Sequence, residues 1–244
     1  MLLKSNISSI QHGSDEWFMA RCSRFTSSEN YNLVGEKFLT AGCLSYIYRK
    51  VGEGISGIPV RKEIETEATA HGNIYEPEAI RKYAVSKGLQ FVVTRKFIYN
   101  PNTQFGCTPD FIIVESESTD KLAYNVITGE VKCPPTYDNF VAISLCDHPL
   151  ELKKIKPAYY WQCIDQLDEC GTLRGIFVAY HPDFGEAQLK EIPFRVMWKD
   201  QNGKFPIQED LTLLRQRKQM AVEEYNKITA KLLTKKGAAF ATPL

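Results

Sequence analysis

A mixed α/β fold, a β-sheet flanked by helices, is what this 244-residue sequence predicts, on three observations. Five short stretches rich in β-branched and aromatic residues have strand character, at 91–99, 106–114, 122–132, 173–180 and 192–198. Helical periodicity flanks or separates them at 63–86, 157–170 and 210–233. The composition, 43% hydrophobic and 24% charged, is that of an ordinary folded domain and excludes disordered and fibrous classes.

Taken in order, the N-terminus lacks the apolar core of a signal peptide. No stretch approaches the ~20 apolar residues of a spanning helix, so a cytoplasmic protein is expected. Residues 14–30 read SDEWFMARCSRFTSSEN, in which Thr26 and Glu29 form a capping-box pattern that predicts a helix start at Thr26. Such a start presents free N–H groups to phosphate, with Arg21 just upstream and Ser28 in the first turn.

The glycine-rich run VGEGISGIP lies in a basic surround of Arg49, Lys50, Arg61 and Lys62. It reads as a connector or as a loop touching a phosphate backbone. Gly52 and Gly57 have the separation of a nucleotide-binding loop, but Ile58 stands where that loop requires lysine, which excludes it. In the helix 63–86 the apolar points are Ala68, Ile74, Ala79, Ile80 and Tyr83; Pro77 kinks it or begins a second segment, and Gly88 stops it. The helix 157–170 opens with an aromatic turn whose Tyr160 and Trp161 read as packing residues. The last helix, 210–233, is amphipathic, and a loose tail at 234–244 is expected.

The net charge of +1 gives no global attraction to polyanions, so any nucleic-acid site must concentrate positive charge in a groove. Seven cysteines with no C-x-x-C pair read as reduced thiols, not a disulfide framework.

The chemistry concentrates in 106–135, GCTPDFIIVESESTDKLAYNVITGEVKCPP. Asp110 and Glu130 offer hard oxygen ligands, and Lys132 lies two residues beyond the second. In a strand, residues i and i+2 share a face, so Glu130 and Lys132 enter one cleft. Val131 then turns into the core and leaves its carbonyl as a third protein ligand. A site of one or two carboxylates plus substrate phosphate suits Mg²⁺, which acidifies a bound water. Lys132 would hold that water and offset charge on the phosphorane. Alone, an E-x-K triplet is common in surface hairpins.

Thr108-Pro109-Asp110 and Glu130-Val131-Lys132-Cys133-Pro134 resemble the PD-(D/E)xK nuclease signature in the form of the lambda-exonuclease (YqaJ-type) viral recombinase family. Further blocks match in the same order: Trp17 to Glu29, Gly72 to Glu76, and Tyr159 to Gln162. The resemblance spans roughly 8–185, and its insert between Asp110 and Glu130 is longer than in the lambda enzyme.

The resemblance implies a restriction-endonuclease-like core over 1–206, with 207–244 as a C-terminal helix and tail. It implies a Mg²⁺-dependent deoxyribonuclease, with Mn²⁺ as a substitute and two ions per site, that degrades linear duplex DNA 5′→3′ and leaves a 3′ overhang for recombination. Metal ligands would be Asp110, Glu130, the Val131 carbonyl and, through water, Glu76. Lys132 and Gln162 would act at the reacting centre. Arg21, Ser28, Thr108, Tyr159 and Gln162 would hold the 5′-phosphate. Gln166 stands where RecB-type relatives carry tyrosine, and no role is assigned to it. Lys153, Lys154 and Lys156 are candidates for lining a DNA channel. A homotrimeric ring, a single-strand-annealing partner and a phage protein in a bacterial cytosol are implied. The competing readings are a PD-(D/E)xK endonuclease or repair nuclease, and a non-enzymatic DNA-end-binding protein. No cysteine lies beyond Cys170, which weighs against the iron–sulfur nucleases.

Overall fold

The computed structural model describes residues 6–7, 10, 12–61, 66–89, 93–114 and 126–239. Among them, nine strands form two sheets. The smaller has the order β1 (Asn6–Ile7), β4 (Ile98–Tyr99), β5 (Phe105–Cys107), β2 (Phe25–Thr26). The larger has the order β3 (Val93–Thr94), β6 (Phe111–Val114), β7 (Val126–Lys132), β8 (Arg174–Tyr180), β9 (Leu189–Arg195). It is mixed: β7 and β8 run parallel, and the other three pairings are antiparallel.

A parallel pair needs a long crossover. Here it consists of three helices, α4 (Tyr137–Ser144), α5 (Pro149–Ile155) and α6 (Pro157–Cys170). The helices earlier in the chain are α1 (Asp15–Arg21), α2 (Ala41–Ser56) and α3 (Glu67–Ser86).

The pleat decides what faces what. From β8, Phe177 and Ala179 enter a core with Ile164 and Leu167 of α6, whereas Val178 and Tyr180 enter one with Ala79, Ile80 and Tyr83 of α3. On β7, Ile127 and Val131 join the α3 side, which leaves Thr128, Glu130 and Lys132 on the face toward α6. Gly129 between them faces Phe111, and a Cβ there would lie 2.1 Å from the ring. Gly129→Ala is therefore expected to destabilise by about 1–3 kcal/mol, read as a lower denaturant midpoint at unchanged m-value.

The last helix, α7 (Pro206–Ala239), ties the layers together. Ile207, Leu211 and Leu214 pack in the α6 core, and Ala221 and Tyr225 pack with Tyr46 and Ile47 of α2. All seven cysteines are free, and no helix among the described residues is long and apolar enough to cross a membrane.

Several expectations need correction. Thr26 ends β2 and starts no helix; after it comes a turn and one short 3-10 segment, Asn30–Leu33, whose N-cap Glu29 makes no side-chain capping bond. The phosphate-binding helix start therefore does not exist at this point. The helix nearby is α1, capped by Ser14, whose Oγ accepts from the Trp17 N–H at 3.2 Å.

The glycine-rich run is not a loop: α2 continues through Gly52 and Gly54 and ends at Gly57, which adopts φ 69°. The reason is packing, since a Cβ at Gly54 would strike the Tyr225 hydroxyl at 2.0 Å. Pro77 lies inside a single helix, and the described part of the tail, 234–239, continues α7. The Lys153 ammonium donates to both Asp210 oxygens at 2.7 and 2.8 Å and lies over Tyr160 and Trp161. Lys62, Phe91, the 115–121 insert, 122–125 and 240–244 lie outside the described residues.

Candidate active site

The strands expected at 91–99 and 106–114 are each broken in two, and the breaks build the site. β3 and β6 belong to the larger sheet and β4 and β5 to the smaller, so the chain changes sheet at Arg95 and again at Thr108–Asp110. Arg95 turns with φ 51°.

Asp110 lies at the second break. Its N–H donates to the Gly129 carbonyl at 2.9 Å, although the ladder partner of Gly129 is Phe111, so β6 enters the sheet offset by one residue. The Val131 N–H donates to Asp110 Oδ2 at 2.7 Å. Because the N–H and C=O of one residue leave a strand on the same side, the Val131 carbonyl also emerges toward Asp110.

Glu130 is 1% exposed, and both its oxygens are held. Gln166 Nε2 of α6 donates to Oε2 at 2.5 Å, and Lys132 Nζ donates to Oε1. The Lys132 ammonium also lies 5.6 Å from the Tyr159 ring. Burial, then the neighbouring Glu130 charge, pushes the Asp110 carboxyl well above the usual carboxylate range. Burial likewise raises Glu130, against the opposing pull of Lys132. For Lys132, burial works against the charge, but Glu130 and Asp110 outweigh it and hold its pKa above the ordinary lysine value.

The donor set is the buried Glu130 and the half-buried Asp110, two carboxylates in mutual repulsion, beside a backbone carbonyl. It fits a small divalent cation, whose hard oxygen preference matches the ligands and whose charge would relieve the repulsion.

Glu76, from α3, is paired with Arg95, whose Nε donates to its Oε1 at 2.9 Å and whose Nη2 lies 2.7 Å from the same oxygen, while its charge adds to the burial that raises both Asp110 and Glu130. Glu76, Val131, Lys132 and Tyr159 line one cleft of about 320 Å³. Among the described residues, the one set of three acidic, histidine or cysteine side chains within 4.8 Å of one another is elsewhere, at Asp165, Asp168 and Glu169. The Lys218 ammonium fills that set, donating to all three.

Arg21, Ser28, Thr108 and Gln162 do not line the cleft. The Arg21 guanidinium stacks on the Trp17 ring at 3.9 Å and donates to Thr26 Oγ1 at 3.2 Å. Ser28 is exposed, the Thr108 hydroxyl is buried without a partner, and the half-buried Gln162 makes no side-chain hydrogen bond among the described residues. Burial, and then the charges of Arg95 and Arg21, hold His12 below the ordinary histidine pKa.

Two residues escaped the sequence reading. Gln166 is four residues after Gln162, a spacing that signals a shared helix face. Arg95 gave no signal, since its position follows from the sheet change.

By sequence, the model of the YqaJ-like viral recombinase domain matches residues 16–171. No curated protein matches the chain by sequence. By structure, an alkaline exonuclease from Laribacter hongkongensis superposes with a TM-score of 0.68 at 21% identity, over 93% of this chain and 100% of that one. A second structure of that protein, in complex with dAMP, superposes at 0.66. A phage-related exonuclease from Haemophilus somnus 129PT superposes at 0.61 and 14% identity, over 86% of this chain and 96% of that one.

Proposed function

We infer the activity from a plain premise: the chain belongs to the YqaJ-like viral recombinase family. It acts as a metal-dependent exonuclease that degrades one strand of linear duplex DNA from its 5′-phosphorylated end and leaves a 3′ overhang for recombination. The observation that carries this reading is the meeting of Asp110, Glu130 and Lys132 at a strand break, beside an open cleft. The names of the two superposed exonucleases support it.

In this reading Asp110, Glu130 and the Val131 carbonyl hold Mg²⁺, with Mn²⁺ as a substitute and a second ion beside the first. When bound, such ions supply an acidified water and offset charge on the leaving oxygen. Lys132 orients the water and stabilises charge developing on the phosphoryl oxygens. Gln166 fixes the Glu130 rotamer. Arg21, with Ser28, Thr108, Tyr159 and Gln162, takes the end phosphate, the guanidinium by a charge-assisted fork. The protein works on DNA in the cytosol of a bacterial host, as a homotrimeric ring paired with a single-strand-annealing protein.

The test uses 5′-phosphorylated linear duplex and closed circular duplex, with Mg²⁺ or with EDTA. Loss of acid-insoluble DNA is expected from the linear substrate alone and only with metal. Cutting of the circle would mean an endonuclease, and binding without degradation would mean an end-capping protein. Gln166→Leu, which leaves Glu130 Oε2 without its donor and the carboxylate held by Lys132 alone, is expected to lower the single-turnover rate by about tenfold while duplex affinity stays unchanged.

A further inference from the structure

We propose that Arg95 is a substrate-displaced latch: it holds Glu76 off the metal-binding carboxylates until a DNA phosphate takes its guanidinium. The inference rests on the nuclease reading above and names a residue that reading does not use.

Four observations carry it. Arg95 is one of three non-glycine residues at positive φ among those described, with φ 51°. That conformation costs an L-residue energy, persists only where its surroundings hold it, and concentrates at functional positions. Its backbone is tied to the site, since the Arg95 N–H donates to the Asp110 carbonyl at 3.3 Å. Nε donates to Glu76 Oε1 and Nη2 lies against the same oxygen, which leaves Oε2 and Nη1 without hydrogen-bond partners among the described residues. Finally, the two side chains are 32% and 18% exposed, and Glu76 lines the same cleft as Lys132.

A pair that water reaches is cheap to exchange. A phosphodiester offers the guanidinium two oxygens in the planar geometry it binds best, so an incoming phosphate is the stronger partner. Transfer of Arg95 to the phosphate leaves Glu76 anionic and unpaired beside Asp110 and Glu130, where it completes the acidic set for cation binding. Metal and DNA then promote each other's binding through one side chain.

The test removes the guanidinium but keeps the backbone, by Arg95→Asn, because asparagine tolerates positive φ; Arg95→Gly is the second variant. Circular dichroism melts confirm folding. In the DNA-free protein, Mn²⁺ affinity measured by electron paramagnetic resonance is expected to rise by about fivefold in both variants. Affinity for 5′-phosphorylated duplex in non-catalytic Ca²⁺ is expected to fall by about tenfold. Adding Glu76→Gln to Arg95→Asn is expected to cancel the Mn²⁺ gain. Unchanged or weaker Mn²⁺ binding in the folded single variants would overturn the latch and leave Arg95 as a prop for Glu76. Wild-type protein that neither binds Mn²⁺ nor degrades linear duplex would instead overturn the nuclease reading itself.

Discussion

Replacing Lys132 by alanine is expected to slow duplex degradation by about 10²–10³-fold, with duplex affinity close to that of the wild type and a lower melting temperature, because the buried Glu130 loses its cation. The ammonium does two things that no neighbour duplicates. It donates to Glu130 Oε1, and it lies at the mouth of the cleft beside the Tyr159 ring. In the nuclease reading, its loss removes a positive charge beside the reacting phosphoryl group, and it leaves the other Glu130 oxygen still tied to Gln166 at 2.5 Å. The carboxylate therefore keeps its place, and the defect falls on the chemical step. Mn²⁺ binding to DNA-free Lys132→Ala separates this from collapse of the site: affinity is expected to hold or rise, because a competing cation has gone. Lys132→Arg is expected to recover little, since a planar fork does not replace a point charge at the same reach. A single-turnover rate for Lys132→Ala within threefold of the wild type would remove Lys132 from the chemistry.

How much of this was legible in the sequence depended on whether the signal was local. Helix α6 matches the expected 157–170 because its periodicity, its Pro157 start and its Gly171 stop all sit within one segment. The i, i+2 relation of Glu130 and Lys132 was legible for the same reason: β7 is a regular strand.

What failed was non-local. The Thr26–Glu29 pattern is a sound capping signal, but Phe25 and Thr26 are claimed by pairing with Phe105 and Gly106, partners some eighty residues away. The VGEGISGIP run has poor helix propensity, yet Val51 is buried, Gly54 admits Tyr225, and tertiary contact outweighs the local preference. The splits at Arg95 and at Thr108–Asp110 were invisible because hydrophobic alternation does not reveal that a strand leaves one sheet for another. The same limit hid Arg95 and the Gln166 bond to Glu130.

The largest stability effect is expected from Lys218, which bonds none of the candidate site residues. Its ammonium is buried among Asp165, Asp168 and Glu169, donating to the first two at 2.8 and 2.7 Å. Asp165 is further held by Ser27 at 2.5 Å and Asn30 at 2.9 Å, so the network joins α6, α7 and the segment after β2. Lys218→Met leaves Asp165 and Glu169 without their cation and Asp168 with Arg215 alone, and is expected to destabilise by about 3–5 kcal/mol, as when one partner of a buried ion pair is removed.

Glu169 should respond in the opposite sense. Burial, only partly opposed by Lys218, raises its pKa from 4.5 to about 7. Because the folded state binds this proton more tightly, the stability it contributes is fully present below pH 4.5 and is lost as pH rises through about 7. Glu169→Gln keeps a hydrogen-bond acceptor for Lys218 without the charge. It is expected to be more stable than the wild type at pH 8 by about 1–3 kcal/mol, an advantage that disappears by pH 4.5. Urea midpoints of the two variants across this range test the assignment. Opposite signs at pH 8 mean a structural hold that fixes the helix bearing Gln162 and Gln166, whereas Lys218→Met within 1 kcal/mol of the wild type would mean that the carboxylates are solvated and hold nothing.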